Sequence, residues 1–491
     1  MNTAALKGKA NLAVRILAVL TLAGAAAARP PADNQIEPTE RAAENILKME
    51  IVALNSSGEP ATDLLSSDLQ LFDDGSIQTI AFCRNNGKRA PQPATLAPHE
   101  FSNQTVSTLQ FPTVILVDLL NLRTLSASRS AEQIVRSLDR LQSTENFYIY
   151  LLGCDRTVEP VRPVPKSESD LRVLEPWTKS VGATLDRAIR NAAGTSPPDE
   201  LRVRIRTTLQ ALMRIANEMS AIPGRKNIIW LTSGVASAYG WVDFLPWLRE
   251  VAGILNQGRI AMYSIDRFPL NADTNPNVSL DTPRQLSALT GGRSYRGDHI
   301  EDAIAQTAVD VRASYLIGYY PQRWDGKYHK IRINCVRKGV RIHAMEGYYA
   351  EVPKSTAEEL QGNNFHKAWQ SLFDVSDIGL RIAVSPSVKN QQTVHFRIRL
   401  DPADLMLLRQ GDHYISHLAF EFAGYTDAGP MEPSVPFPVT LTITDKQRID
   451  SATNVTELEQ DLAFGDSTRK VRVMVIDRGS NAIGSLTVPV R

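Results

Sequence analysis

The segment from Phe111 to Arg312 alternates short, continuously apolar runs with longer segments in which apolar residues recur at helical spacing. The four apolar runs are Thr113–Val117, Phe147–Leu152, Asn227–Leu231 and Ile260–Ile265. A strand that is apolar at every position is typical of a sheet covered on both faces, because alternate side chains point to opposite sides. Parallel strands joined by helices therefore predict an α/β fold with a doubly wound sheet over this part of the chain.

Other elements of this segment follow from the same kind of pattern. The segments with helical spacing are Ser126–Gln142, Leu201–Met219, Val242–Leu255, Thr282–Leu289 and Ile300–Arg312. Val158–Val164 contains two prolines, which predicts a strand at the edge of the sheet. Three more strands, expected to form an antiparallel extension, are predicted at Tyr315–Tyr320, Lys330–Cys335 and Val340–His343.

Two β-rich segments flank the α/β unit. Short apolar runs separated by Gly and Asp turns predict a small amino-terminal β-module. Beyond the α/β unit, apolar and polar residues alternate, as in Phe396–Leu400, which predicts a carboxy-terminal antiparallel β-sandwich. The predicted division of the chain is a signal peptide at 1–28, a linker at 29–44, the β-module at 45–83, a linker at 84–107, the α/β domain at 108–350 with its β extension at 315–350, a linker at 351–368 and the β-sandwich at 369–491.

The amino terminus has the pattern of a cleavable secretory signal. Residues Met1–Ala28 contain Lys7, Lys9 and Arg15, then a short apolar run and small residues at the exit. The uncharged stretch is about 13 residues long, shorter than the roughly 20 that a membrane-spanning helix needs. We therefore expect an exported protein, periplasmic or extracellular, without a membrane span after signal cleavage.

Composition and motifs exclude some classes of partner and of chemistry. Lys and Arg number 54 against 53 Asp and Glu, so the net charge of +1 provides no global field that would attract nucleic acid. Three cysteines are too few for a disulfide scaffold or a multi-cysteine zinc cluster. The sequence contains no Gly-x-Ser-x-Gly, His-Glu-x-x-His or phosphate-cradling motif. These observations favour a protein that is not an enzyme.

Several motifs share their order and spacing with the von Willebrand factor A (VWA) domain. The matching segments are Phe111–Asn121, Pro223–Gly234, Tyr263–Asp266, Leu289–Gly292, Tyr315–Pro321 and Gly347–Tyr349. The chain resembles in particular the VWFA-related family of exported acidobacterial proteins, whose amino-terminal module is similar to Leu69–Ile80 here. The resemblance covers roughly Ile46–Ala350. It implies a VWA-like, Rossmann-type central domain.

The VWA resemblance also implies a metal-ion-dependent adhesion site at the carboxyl end of the central sheet. Such a site takes an Asp-x-Ser-x-Ser loop, a threonine from a second loop and an aspartate after the fourth strand, because Mg²⁺ requires hard oxygen ligands. Asp118 matches the first aspartate. Leu120 and Leu122, however, stand at the two serine positions, and Ser233 stands at the position of the last aspartate.

These departures predict a degenerate metal site. The candidate residues are Asp118, Asn121, Ser233 and Thr184, with Thr207 or Thr208 as alternatives for the threonine. No cofactor is expected, because an aliphatic side chain offers a cation no ligand atom. The alternative is Mg²⁺ held by a shifted site of Asp118, Asn121 and Asp266. In a third interpretation Asp118 only accepts backbone N–H groups where its loop begins.

Together these features predict an exported, non-enzymatic protein that binds other proteins or acts as a scaffold for them. This expectation depends mainly on the family analogy. The first alternative is adhesion that depends on Mg²⁺ or Mn²⁺ at an altered site around Asp118. A hydrolase that uses the crevice at the sheet end is disfavoured, because no nucleophile with a neighbouring base is recognisable.

Overall fold

The computed structural model of the 491-residue chain describes most of the chain after Ile46. The described residues are 46–86, 96–104, 112–121, 132–137, 146–165, 170, 179–192, 200–220, 222, 224–232, 244–266, 282–296, 299–371, 373–386, 393–444 and 456–490. The predicted signal peptide at 1–28 and the linker at 29–44 lie outside them. Over the described ranges, no helix combines the length and the apolar character that crossing a membrane requires.

The protein is mixed α/β with large β-rich parts. Its strands are β1 Leu47–Leu54, β2 Leu69–Asp73, β3 Ser76–Gln78, β4 Ile80–Asn85, β5 Glu100–Ser102, β6 Thr113–Asp118, β7 Phe147–Leu152, β8 Val158–Arg162, β9 Lys226–Thr232, β10 Ile260–Asp266, β11 Ser294–Arg296, β12 Ser314–Tyr319, β13 Tyr328–Cys335, β14 Arg341–Ala344, β15 Gly347–Tyr349, β16 Leu380–Pro386, β17 Thr393–Leu400, β18 Leu408–Gln410, β19 His413–Thr426, β20 Gly429–Pro430, β21 Phe437–Thr444, β22 Thr456–Ala463, β23 Lys470–Asp477 and β24 Ala482–Pro489. Its α-helices are α1 Lys179–Ala192, α2 Leu201–Ser220, α3 Leu245–Gln257, α4 Thr282–Thr290, α5 Ile300–Arg312 and α6 Ala357–Gln370. Short 3-10 helices lie at Ser66–Asp68 and Pro402–Asp404.

The central sheet contains six strands in the order β11-β10-β9-β6-β7-β8. All neighbours are parallel except β8, which runs antiparallel to β7 at the edge of the sheet. Every residue of β6, β7 and β9 is buried. The structure thus has a strand at each of the four predicted apolar runs, and the proline-bearing strand lies at an edge as predicted.

Helices cover both faces of this sheet. Along β6, Val114 and Leu116 pack with residues of α2, α3 and α4, whereas Ile115 and Val117 pack with residues of α1 and α5. The two sets alternate along the strand because successive side chains point to opposite faces. α1 is a helix for which the sequence pattern gave no prediction. The helix predicted at Ser126–Gln142 is helical at 132–137, and the rest of it lies outside the described residues.

The amino-terminal strands do not form a module of their own. β1 pairs with β12 and β14, and β2 pairs with β13, in each case antiparallel. The resulting sheets, β14-β1-β12-β4 and β15-β13-β2-β3, share one apolar core. The segment predicted at 45–83 and the β extension at 315–350 therefore make one amino-terminal β unit, which spans the predicted boundary between 45–83 and 108–350. Local sequence shows that a strand is half-buried but not which distant strand supplies its partner edge.

The carboxy-terminal unit consists of antiparallel strands in two sheets. One has the order β22-β17-β16-β5, and in the other β18, β20, β21 and β23 pair with β19 while β24 pairs with β23. Alternate residues such as Phe396, Ile398 and Val473 point into a common core between them. β5 belongs to a segment predicted as a linker at 84–107, yet it pairs with β16. That linker prediction was wrong for 100–102.

The linker predicted at 351–368 is largely helical. α6 begins after Thr356, whose side chain accepts from the Glu359 backbone N–H while the Glu359 carboxylate accepts from the Thr356 backbone N–H. Its residues Phe365 and Ala368 pack against β19 and β23 of the carboxy-terminal unit. The polar composition of this segment concealed a helix that has one narrow apolar face and a capping box.

Candidate functional site

Asp118 ends β6 at the carboxyl edge of the central sheet, where α/β proteins bind their ligands. Its side chain is fully buried, with 0% of its surface exposed. The Oδ2 atom accepts three hydrogen bonds, from Trp230 Nε1 at 3.1 Å, from the Thr232 hydroxyl at 3.0 Å and from Asn121 Nδ2 at 2.8 Å. The Oδ1 atom accepts the backbone N–H of Asn121 at 3.2 Å. The carboxylate is thus satisfied by the protein itself.

Asn121 connects this carboxylate to a helix. Its Nδ2 also donates to the Thr208 hydroxyl at 2.9 Å, and Thr208 in turn donates to the backbone carbonyl of Arg204 at 2.9 Å. Thr208 is buried on α2, one turn beyond Arg204. The strand β6, the loop after it and α2 are therefore joined through a continuous chain of hydrogen bonds that ends at Asp118.

Burial and hydrogen bonding act in opposite directions on the pKa of Asp118. Burial raises the pKa of Asp118 from 3.8 to about 6, although the hydrogen bonds from Asn121, Trp230 and Thr232 act to lower it. The carboxylate is consequently ionised at neutral pH. Burial also raises the pKa of the nearby Cys154 thiol, and the charges of Asp118 and Asp155 raise it further. Cys154 donates to the Leu119 carbonyl at 3.4 Å, so it remains a protonated thiol rather than a nucleophile.

The structure brings together only part of the predicted residue set. Asp118 and Asn121 are adjacent as predicted. Thr184 is exposed on α1, the helix whose residues Leu185 and Ile189 pack on the sheet face opposite α2. Thr208, which had been left as an alternative, reaches the site instead. Spacing alone could not decide between two helices that cover opposite faces.

The other residues named for this site lie outside the described part of the chain or in the apolar core. Ser233 and Leu122 lie outside the described residues, and so does the side chain of Asp266. Leu120 is buried in the apolar core with Leu116. Its side chain therefore points into the fold, not toward a ligand at the sheet edge.

The described residues do not fit a conventional Mg²⁺ site. Mg²⁺ takes six oxygen ligands in near-octahedral geometry at about 2.0–2.1 Å. Asp118 Oδ2 already accepts three donors, so its lone pairs are directed toward protein groups. The Thr232 hydroxyl and the Asn121 amide present protons, not lone pairs, to the same point. A cation at Oδ2 would have to displace these donors.

Sequence reasoning missed Trp230 and Thr232. Both lie on β9, the parallel neighbour of β6, and Leu116 is paired with Trp230 in the register. Adjacent parallel strands end at the same edge of a sheet. Thr232, the last residue of β9, therefore lies beside Asp118. The assumption that β6 and β9 are neighbouring parallel strands would have predicted this.

Comparison with known proteins adds no narrower assignment. No family model matches the chain, and no curated protein was found that is similar to it. The fold and the site define a mixed α/β protein with β-rich parts, in which a buried and internally satisfied carboxylate ends the central strand.

Proposed function

We propose that this chain is an exported, non-enzymatic protein that binds other proteins through a VWA-like domain whose metal site is degenerate. The six-stranded sheet with helices on both faces is the architecture that the VWA resemblance implies, and it supports that part of the proposal. The amino-terminal pattern of Met1–Ala28 supports export.

The observation that carries the proposal is the saturation of Asp118 by Trp230, Thr232 and Asn121. In a cation-dependent adhesion site, the ion bridges the protein to an acidic group of the partner and needs open coordination positions. Here the carboxylate that would anchor the ion is instead a buried acceptor for three protein donors. Recognition of a partner would therefore depend on the shape and polarity of the surface at this edge.

Two alternatives differ in what they require of the same site. Metal-dependent adhesion around Asp118 and Asn121 requires the carboxylate to exchange its protein donors for Mg²⁺ or Mn²⁺. A hydrolase requires an activated nucleophile, and Cys154 disfavours this because it donates to a backbone carbonyl and has a raised pKa.

The test measures ion binding and partner capture with the same variants. We expect calorimetric titration of the full chain with Mg²⁺ and Mn²⁺ to show no Asp118-dependent binding tighter than the millimolar range of weak extracellular sites. Asp118→Asn removes the anionic ligand, and Asp155→Asn is the matched control, because Asp155 is an exposed aspartate just after the neighbouring strand β7. Proteins of the native envelope fraction captured by the immobilised chain should be the same in Mg²⁺ and in EDTA.

Two results would contradict the proposal. Submillimolar ion binding that Asp118→Asn abolishes and Asp155→Asn preserves would establish an ion site at Asp118. Loss of the captured proteins both in EDTA and in Asp118→Asn would establish metal-dependent adhesion. Circular dichroism of each variant separates these outcomes from misfolding.

A further inference from the structure

We propose that Asp73, Asp74 and His329 form a binding site for a divalent transition metal of the Zn²⁺ type, in the amino-terminal β unit and separate from Asp118. One potential ligand atom of each residue lies within 4.8 Å of those of the other two. The atoms closest to His329 Nδ1 are Asp73 Oδ1 and Asp74 Oδ2. The site would fasten the turn between β2 and β3 to the neighbouring strand β13.

Chain topology places the three side chains together. Asp73 ends β2 and lies opposite Ile331 of β13, and Asp74 begins the tight turn that leads to β3. Asp74 has a φ of 47°, in the left-handed region, and its backbone N–H donates to the Lys330 carbonyl at 2.9 Å. His329 is on β13, adjacent to this turn. The site is therefore held by two paired strands and a turn bonded to both of them.

The distances suit ligands around one ion. His329 Nδ1 lies 2.9 Å from Asp73 Oδ1 and 3.8 Å from Asp74 Oδ2. Nitrogen and oxygen ligands at about 2.1 Å from a tetrahedral Zn²⁺ are separated by about 3.4 Å from one another. The two distances from His329 Nδ1 lie on either side of this value, so shifts of about half an ångström would bring each to it.

The second atom of each ligand group is already engaged elsewhere. Asp73 Oδ2 accepts the hydroxyls of Tyr319 at 2.9 Å and Tyr348 at 3.1 Å, and Asp74 Oδ1 accepts the Lys330 backbone N–H at 2.8 Å. One oxygen of each carboxylate is thus fixed, and the other oxygen of each is directed toward the same imidazole nitrogen. Outer-sphere partners of this kind orient metal ligands.

The imidazole is oriented in the same manner. His329 Nε2 lies 3.2 Å from Asp325 Oδ1, and that oxygen also accepts the Lys327 backbone N–H at 2.9 Å. A carboxylate that accepts the Nε2 proton fixes the ring, as in carboxylate–histidine–zinc groups. Without a metal, Nδ1 donates its own proton to Asp73 Oδ1, and an incoming cation would displace that proton to solvent and take the Nδ1 lone pair. Nδ1 is the atom that faces Asp73 and Asp74.

Charge and exposure favour a cation that has open positions. Asp73 and His329 are 6% and 5% exposed, whereas the side chain of Asp74 is 48% exposed. Three carboxylates surround one imidazole, and a divalent ion would neutralise the excess negative charge where it is least hydrated. One imidazole with two carboxylates suits Zn²⁺, Co²⁺ or Mn²⁺ better than Ca²⁺. Solvent on the Asp74 side would complete the coordination.

The test uses the full chain freed of metal with EDTA and then titrated with Co²⁺, whose visible absorption reports a nitrogen- and oxygen-ligated site. We expect one equivalent to bind and Zn²⁺ to displace it. His329→Gln should weaken binding by about 100-fold or more, and Tyr348→Phe, which loosens Asp73, by about 10-fold. Asp74→Asn should also weaken it, and it keeps the test valid if His329→Gln fails to fold, because Asp74 is on an exposed turn.

The matched control is His395→Gln. His395 Nδ1 lies 2.8 Å from Asp461 Oδ1 in the carboxy-terminal unit, and the next carboxylate, Glu459, lies 3.9 Å from the other ring nitrogen, Nε2. It is therefore a histidine–aspartate pair whose two neighbouring carboxylates face different ring nitrogens. Its substitution should leave the Co²⁺ spectrum unchanged. Absence of a Co²⁺ spectrum in the wild type, or a spectrum that survives in Asp74→Asn and His329→Gln, would overturn the proposal and leave His329 as an imidazolium shared between Asp73 and Asp325.

Discussion

Replacement of Arg259 should loosen the contact between the three units of the fold. Arg259 follows α3 and has a φ of 53°, a left-handed conformation that costs a non-glycine residue about 1 kcal/mol. From there, Nε donates to Glu50 of β1 at 2.8 Å, and Nη1 forms an ion pair with Asp377 of the carboxy-terminal unit. One side chain in the α/β unit therefore contacts a carboxylate of each β-rich unit.

The magnitude follows from burial. Glu50 and Asp377 are 8% and 19% exposed, and Arg259 is 17% exposed. Removal of one partner from a buried ion pair costs about 3–5 kcal/mol, because the remaining charge is left without compensation. Arg259→Met keeps most of the aliphatic stem but removes the cation that both carboxylates face. We expect it to lower the free energy of unfolding by about 3–5 kcal/mol, a large part of the 5–15 kcal/mol typical of folded proteins.

The assay is urea unfolding, followed by circular dichroism and by tryptophan fluorescence. A chain of three units need not unfold in one step, so the first transition is the one compared. Arg397→Met is the matched control, because Arg397 forms ion pairs with Glu457 and Glu459 while 45% exposed. It should cost at most about 1 kcal/mol.

A rescue variant tests the cause. Arg259→Met combined with Glu50→Gln and Asp377→Asn also removes both carboxylate charges and should recover most of the lost stability. The reasoning is refuted if Arg259→Met costs no more than Arg397→Met, or if the neutralised combination is as unstable as Arg259→Met alone.

Three further predictions concern single positions. The folded-state pKa of Asp118 lies above 3.8, so its protonation stabilises the fold at low pH, and this contribution is lost as pH rises through about 6. The free energy of unfolding of the wild type minus that of Asp118→Asn should therefore fall by about 2 kcal/mol from pH 4.5 to 7.5. A difference that stays constant with pH would contradict this prediction. Gly292→Ala would place a Cβ 1.8 Å from the Met262 carbonyl oxygen, so it should lower the free energy of unfolding in urea by about 3 kcal/mol. Gly253→Ala on α3, where the space is open, is the control and should be neutral or slightly stabilising. Burial alone raises the pKa of Glu421 from 4.5 to about 7, so the stabilisation that comes from its protonation is lost as pH rises through 7. In thermal unfolding, the free energy of unfolding of Glu421→Gln should rise by about 2 kcal/mol relative to that of the wild type between pH 5 and 8. If it does not rise, Glu421 is charged over this whole pH range.

The strands of the central sheet could be predicted closely from sequence. Runs such as Phe147–Leu152 and Thr113–Val117 are apolar at every position, and only a sheet covered on both faces buries such a run completely. The helix α6 was missed for the opposite reason: its apolar face contributes few residues, and its start is marked by a capping box rather than by hydrophobic periodicity. Local signals were thus sufficient where burial was complete and insufficient where it was partial.

Pairings between distant segments could not be predicted. β1 is half-buried, and its burial pattern would suit any antiparallel partner. Its neighbours β12 and β14 follow the whole α/β unit in the sequence. The same limit applied to the site. Asp118 and Asn121 are close in sequence and were predicted together, but the choice of Thr208 over Thr184 depends on which helix covers which face. Tertiary placement decides these questions.

The number of donors around Asp118 bears directly on what this position does. A carboxylate at the end of a central strand can bind a cation when its lone pairs face solvent. When its lone pairs instead face donors of neighbouring strands and loops, it links those elements through hydrogen bonds. Here the donors come from β9 and from the loop after β6, and Asn121 extends the connection to α2. Insertion of a cation at Asp118 Oδ2 would leave Trp230 Nε1 and the Thr232 hydroxyl buried without this acceptor, at about 1–3 kcal/mol each. That cost opposes ion binding at Oδ2, and it makes the Asp118-dependence of any Mg²⁺ affinity the decisive measurement.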